Sequence, residues 1–203
     1  MQDKKYPKII LLRHAEGEHN ITKNYNLINP LLTSEGIKQS RGIGRKLKEM
    51  NITQIYCSPL IRCIQTLDNL YLDKEINNII LDDTIIEFDL DNHLCNKRQD
   101  YNDLKKFLNY YNKYNFDIKN VKKDYIYGAK NIKERENELN NFFKMLNKKY
   151  TNNDTILIIG HYNIIIHIIA SNFTKYNMID SKYNKIDNKY TPKNADFIIM
   201  QKI

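Results

Sequence analysis

At 203 residues the chain suits one domain with a substantial core and is short for two. Hydrophobic residues at 41% and charged residues at 28% fit a soluble globular protein, leaving enzyme and binding module both open. The net charge of +8 would suit a polyanion. However, the lysines are dispersed (Lys46, Lys105-Lys106, Lys122-Lys123, Lys148-Lys149), without a basic run interleaved with aromatics, so no nucleic-acid partner is expected.

The chain reads as alternating strands and helices. Lys8–Leu12 is short and continuously apolar, a strand buried on both faces. Ser34–Met50 reads as a helix that Thr33 or Ser34 can cap. Gln54–Cys57 is a strand closed by Ser58-Pro59, Leu60–Leu72 a helix, and Asn78–Leu81 a third strand running into Asp82-Asp83. A polar middle follows at about 89–127, read as a cap or lid, helical only at Tyr101–Tyr111. Asn131–Tyr150 is a charged helix burying Leu139, Phe142, Phe143 and Leu146. Thr155–Ile159 is a strand, Asn163–Asn172 the helix behind it, and Ala195–Met200 a last strand, read as a sheet edge.

Ile156–Ala170 is interrupted by Gly160, His161, Asn163 and His167 and falls short of a membrane span, so no membrane partner is expected. Cys57, Cys63 and Cys95 neither pair evenly nor show metal-ligand spacing. Met1–Lys8 is polar, and the apolar run after it is too short for a signal-peptide core. Together these features predict a cytoplasmic protein. The Asn-x-Thr triplets at Asn20, Asn51 and Asn172 are expected by chance in an Asn-rich chain.

The alternation predicts an α/β three-layer sandwich: a mostly parallel sheet flanked by helices, in a single domain over 1–203. In such sheets ligands bind beyond the carboxyl ends of the strands. The strand ends here carry Arg13-His14, Ser58-Pro59-Leu60-Ile61-Arg62, Glu87, and Gly160-His161-Tyr162. Arginine offers a planar donor fork matched to phosphate oxygens, and a helix opening near His161 would aim backbone N–H groups at the same anion. An unprotonated imidazole is a competent nucleophile, and a carboxyl group can protonate a leaving oxygen.

These motifs, in this order, resemble the histidine phosphatase (phosphoglycerate mutase-like) superfamily. Arg13-His14-Ala15 resembles its Arg-His-Gly motif. Pro30-Leu31-Leu32-Thr33-Ser34-Glu35-Gly36 and Gln39 resemble its second motif, and Ser58 to Thr66 match Ser-Pro-Leu-x-Arg-x-x-Gln-Thr. Arg-His-Ala-Glu-Gly-x-His-Asn, with Cys95-Asn96-Lys97-Arg98, is similar to a eukaryotic phosphoglycerate mutase-like branch.

The resemblance implies a phosphoglycerate mutase-like fold and a phosphohistidine on His14. It places Arg13, Arg62 and His161 around the phosphoryl group, Asn20 as a neutral donor, and Ser58 as a residue orienting the His14 ring. Glu87 is the favoured acid, with Asp82, Asp83 and Asp89 as alternatives. Ala15 in place of glycine adds a methyl beside the nucleophile. Tyr162 would narrow the pocket or stack on substrate, and Lys97 and Arg98 would meet a second anionic group. His19 and His93 lie in segments that could line the entrance, whereas His167 reads as a core residue.

No zinc motif occurs, and arginines beside a metal cation would be costly, so no metal or other cofactor is expected. The exception would be 2,3-bisphosphoglycerate if the protein were a mutase. Phosphomonoester hydrolysis of a phosphorylated small molecule is preferred to mutase activity, because Asp89 and Asp91 follow Glu87 where a mutase needs cations. A non-catalytic phospho-ligand module is the third reading. Oligomeric state leaves no sequence signature.

Overall fold

The computed structural model describes residues 5–72, 78–87, 91–128, 131–172 and 175–202. Seven strands form one sheet: β1 (Lys8–Arg13), β2 (Gln54–Cys57), β3 (Asn78–Asp82), β4 (Asn115–Asn120), β5 (Thr155–Gly160), β6 (Tyr176–Asp180) and β7 (Phe197–Lys202). Their spatial order is β4-β3-β2-β5-β1-β7-β6. The first five of these are mutually parallel, and β7 runs antiparallel to both β1 and β6. This is the expected α/β architecture, with a mostly parallel sheet between helical layers.

Side-chain alternation along the strands divides the core. Ile9, Leu11, Ile156 and Ile158 face α5 (Ile132–Lys149) and α6 (Tyr162–Asn172), where the expected stripe Leu139, Phe142, Phe143 and Leu146 is buried. Ile10, Leu12, Leu157 and Ile159 face α2 (Ser34–Leu47), α3 (Ile61–Leu70) and α4 (Tyr101–Leu108). Because both faces are covered, the central strands read as unbroken apolar runs. Each such fully buried side chain contributes about 1.5–3 kcal/mol.

Two glycines set the helical layer. A Cβ on Gly44 would come within 1.9 Å of the Leu70 carbonyl oxygen, so its absence lets α2 and α3 touch. A Cβ on Gly36 would lie 2.1 Å from the Glu16 oxygen, so glycine is needed where α2 abuts the loop after β1. Thr33 caps α2 by accepting from the Gly36 N–H, and its hydroxyl also donates to Glu16 Oε1 at 2.8 Å.

Three sequence expectations change. β7 is not an edge strand, because β6 pairs along its outer side. The middle segment is not wholly a cap: α4 buries Leu104 and Leu108 in the core, and β4 becomes the opposite sheet edge. A short helix, α1 (Glu18–Thr22), follows the first strand unannounced. Among the described residues no helix is long and apolar enough to cross a membrane.

Candidate active site

The site follows from strand register. β1 and β5 run level through Arg13 and Gly160, so the next residue of each, His14 and His161, emerges at the same height. Their ring centroids lie 5.1 Å apart. β2 ends beside them, with the Ser58 N–H bonded to the Ile159 carbonyl at 3.0 Å. This is where the chain reverses its direction of progress across the sheet: β1 connects to β2 past β5, which is threaded between them later.

His14 is 3% exposed, and its Nδ1 lies 2.7 Å from the Ala15 carbonyl. A carbonyl can only accept, so Nδ1 carries the proton and Nε2 holds the lone pair. Arg62 Nε donates to that Nε2 at 3.2 Å, consistent with the same tautomer. Burial, then the charges of Arg62 and Arg13, hold the His14 pKa well below its ordinary value. The imidazole is therefore neutral at physiological pH, as a nucleophile must be.

Arg62 is 1% exposed, and four of its five N–H donors have partners within the protein, Nε donating to His14. Its Nη1 donates to the Cys95 carbonyl at 2.6 Å, and its Nη2 to Asn96 Oδ1 at 2.9 Å and toward His161 Nδ1 at 3.1 Å. The Arg-x-x-x-Thr spacing has a plain purpose. Thr66, one turn on along α3, donates to the Arg62 carbonyl and accepts from the Ala15 N–H at 3.0 Å, tying the arginine's helix to the loop that carries His14.

Accepting at Nδ1, His161 donates from Nε2 to Ser58 Oγ at 2.8 Å. Ser58 therefore orients His161, not His14 as expected. Burial and Arg62 push the His161 pKa well below normal. Arg13 anchors through Nη1 to the Pro192 carbonyl at 3.0 Å and lies 5.1 Å from the centre of the Tyr162 ring, while its Nε is buried without a partner. Tyr162 thus supports Arg13 by a cation–π contact. Asn20 accepts through Oδ1 from the Gly17 N–H and from Asn194 Nδ2, leaving its NH2 end for a ligand. The Ala15 methyl packs with Leu32 and Ala195.

Glu87 accepts from the Asn163 N–H at 3.1 Å, so an α6 N-terminal donor expected to face the phosphate is given to this carboxylate. Glu87 also stands close enough to Arg13 and Arg62 to favour their charged forms against the effect of burial. Two of its rivals are committed elsewhere. Asp82 accepts from the Thr84 N–H and Asn120, Asp83 pairs with Arg98, and Asp89 lies outside the described residues.

The expectation for Arg98 is corrected by its placement. It is 3% exposed, with Nε and Nη2 on the two Asp83 oxygens at 2.9 and 3.1 Å and its plane over Tyr125, so its fork is filled from inside the protein. Lys97 is exposed, and among the described residues no hydrogen bond or ion pair joins its side chain to the cluster.

Four residues were not assigned a role in the sequence. Asn96 and Cys95 hold Arg62, and Asn194 holds Asn20. Arg135 donates to the carbonyls of Asp83, Thr84 and Ile86, fixing the turn before Glu87. Its signal was available: it lies four residues before Leu139, on the buried stripe of α5. His19 is also buried, with its ring 5.7 Å from that of His14, its Nδ1 unpartnered and its pKa lowered to about 3 by burial and by Arg62, Arg13 and Lys23.

A neutral imidazole flanked by two arginines beyond the ends of parallel strands is an arrangement chemically suited to a phosphoryl group. Residues 9–190 match the histidine phosphatase superfamily (branch 1), and the chain belongs to that family. It is 37% identical over 83 residues to phosphoserine phosphatase 1 of Hydrogenobacter thermophilus, a match spanning 40% of this chain and 39% of that protein. Its fold resembles that of the alpha-ribazole phosphatase from Shigella flexneri (TM-score 0.61, 14% identity, 97% of this chain and 95% of that one). It also resembles a phosphoserine phosphatase from Entamoeba histolytica, solved with 3-phosphoglyceric acid (TM-score 0.58, 19% identity, 94% and 88%).

Proposed function

We propose that this protein hydrolyses phosphomonoesters of small molecules through a phosphohistidine on Nε2 of His14, with no metal. The observation that carries the reading is the tautomer lock: Nδ1–H is spent on the Ala15 carbonyl, and the Nε2 lone pair lies among Arg62, Arg13 and His161. In the first step Nε2 bonds to phosphorus as the ester P–O bond breaks, and Glu87 passes its proton to the departing alkoxide. In the second, a water oxygen bonds to phosphorus as the N–P bond breaks, and Glu87 takes the water's proton. Arg13 and Arg62, with the Asn20 amide, balance charge on the equatorial oxygens, an electrostatic contribution a metal supplies elsewhere, while neutral His161, its ring nitrogens on Arg62 and Ser58, holds Arg62 in place. The phosphatase names among similar proteins support this reading.

A mutase must also hold a second phosphate or carboxylate. Arg98, the cation best placed in sequence for that, is neutralised by Asp83, and exposed Asp91 adds negative charge beyond Glu87. These features favour water as acceptor. The assay is phosphate release from a panel of sugar phosphates, glycolytic acids, nucleotides and phosphoamino acids, alongside interconversion of the monophosphoglycerates with 2,3-bisphosphoglycerate added. Release that vanishes in His14→Ala supports hydrolysis by this route. Interconversion far faster than release would replace it with the mutase reading, and a family-typical site with no turnover on any ester would leave a phospho-ligand binding module.

A further inference from the structure

A cavity of about 320 Å³ opens beside Glu87, at the small end of ligand pockets, which run from roughly 300 to 1,000 Å³. None of the phosphoryl-binding residues lines it except the acid. Glu87 both lines it and lies near Arg13 and Arg62. Tyr127, from the cavity wall, lies near enough to Arg62 to favour its charge and donates its hydroxyl hydrogen to the His93 carbonyl. An ester oxygen protonated by Glu87 therefore leads its alcohol portion into this cavity.

The wall has two chemical characters. One part is aromatic and aliphatic: Tyr125, Ile126, Tyr127 and Ile132. Ile126 and Ile132 are 73% and 40% exposed, so apolar surface stands in water at the rim, and the Tyr125 ring is held by the Arg98 guanidinium 4.4 Å from its centre. The other part is acidic. Four carboxylates, Asp83, Glu87, Asp124 and Glu138, share the wall with two cations, Lys122 and Arg135. Both cations already face Glu138, at 3.7 and 3.2 Å, and Arg135 is further committed to the carbonyls before Glu87. With Glu87 protonated for its acid step, Arg98 matching Asp83 from behind and both wall cations on Glu138, Asp124 is the carboxylate of the wall that none of these cations faces.

We infer that the substrate is the phosphomonoester of a non-acidic alcohol with an aromatic or branched apolar body, and that esters bearing a second anionic group are selected against. This rests on the phosphatase reading. Apolar surface at the rim gains by covering the organic portion, while a carboxylate there loses hydration and meets like charge. Asp124 is exposed on the loop, open to an arriving substrate. An amine on the alcohol is tolerated for the same reason.

The test uses the full chain and matched esters. O-Phosphotyramine and O-phosphotyrosine differ only in a carboxylate, and glycerol 3-phosphate and 3-phosphoglycerate are the aliphatic pair. The expected result is kcat/KM at least about tenfold higher for the non-acidic member of each pair, with phosphotyramine best of the four. In Asp124→Lys, a surface change that leaves the core untouched, the ratio within each pair should fall several-fold through gains by the acidic ester. Equal or better turnover of the acidic esters, or ratios unmoved by Asp124→Lys, overturns the inference while phosphate still appears on His14. Absence of both phosphate release and label on His14 overturns the catalytic reading, and this one with it.

Discussion

Acid should unfold this protein through its buried imidazoles, and His19 allows the effect to be sized. Its pKa in the folded state is about 3, against an ordinary value of 6.5 that the unfolded chain recovers. The unfolded state therefore binds the extra proton as pH falls through 6.5, so stability present above 6.5 is lost progressively toward pH 3. At pH 5 the gap covers 1.5 units, which at about 1.36 kcal/mol per unit makes about 2 kcal/mol from His19. His14 and His161, also held well below the ordinary value, act in the same direction. In His19→Gln the difference in unfolding free energy between pH 7.5 and pH 5 should shrink by that ~2 kcal/mol, whatever the substitution costs at neutral pH. Urea titrations at the two pH values measure it: with a slope of roughly 2 kcal/mol per molar, the midpoint drop on acidification should be about 1 M smaller in the variant. An identical pH dependence in both proteins would mean that His19 is protonated in the folded state and would refute its placement among the two arginines.

Three further substitutions probe the site's supports. Glu87→Gln should lower kcat/KM, which reports steps only through departure of the leaving group, by about 10²–10⁴ for alkyl esters, in keeping with loss of a general acid, and much less for 4-nitrophenyl phosphate, whose leaving group departs without a proton. Steady-state assays on both ester types check it, and an equal loss on both would remove Glu87 from the acid role. Arg135→Ala frees three carbonyls of the turn before Glu87, so thermal or urea unfolding should show a loss of about 2–4 kcal/mol. Its kcat should fall more than its KM changes, and lysine, lacking the fork, should not restore it. Asp83→Asn leaves Arg98 buried without its counter-charge and should cost about 3–5 kcal/mol in the same unfolding assay.

The sequence was most readable where burial is two-sided. Ile9–Leu12 and Ile156–Ile159 are apolar throughout because helices cover both faces, and their ends then place His14 and His161 correctly. The two outer strands escaped notice for the opposite reason. Asn115–Asn120 is half exposed at one edge, and Tyr176–Asp180 carries polar residues at the other, so neither stands out from loop. The role of Arg98 is not legible in the sequence, because its neighbours suggest a ligand, whereas its partner Asp83 lies fifteen residues earlier and meets it only once the chain folds. The partner of Ser58 is hidden for a similar reason: β2 neighbours β5 in the sheet, which brings Ser58 to His161 and not to His14. The burial of His19 depends on the chain doubling back, with Glu18 N–H on the Leu31 carbonyl, a pairing that no local pattern announces.

The central claim is that one nitrogen of one histidine takes the phosphoryl group. Rapid quenching of the full chain with a turned-over ester, followed by peptide mapping and phosphorus NMR of the labelled peptide, addresses it directly. The account predicts phosphate on His14 at Nε2, because Nδ1 is held by the Ala15 carbonyl, and no label in His14→Ala. Phosphate at Nδ1 or on another residue, or undiminished turnover in His14→Ala, would contradict it.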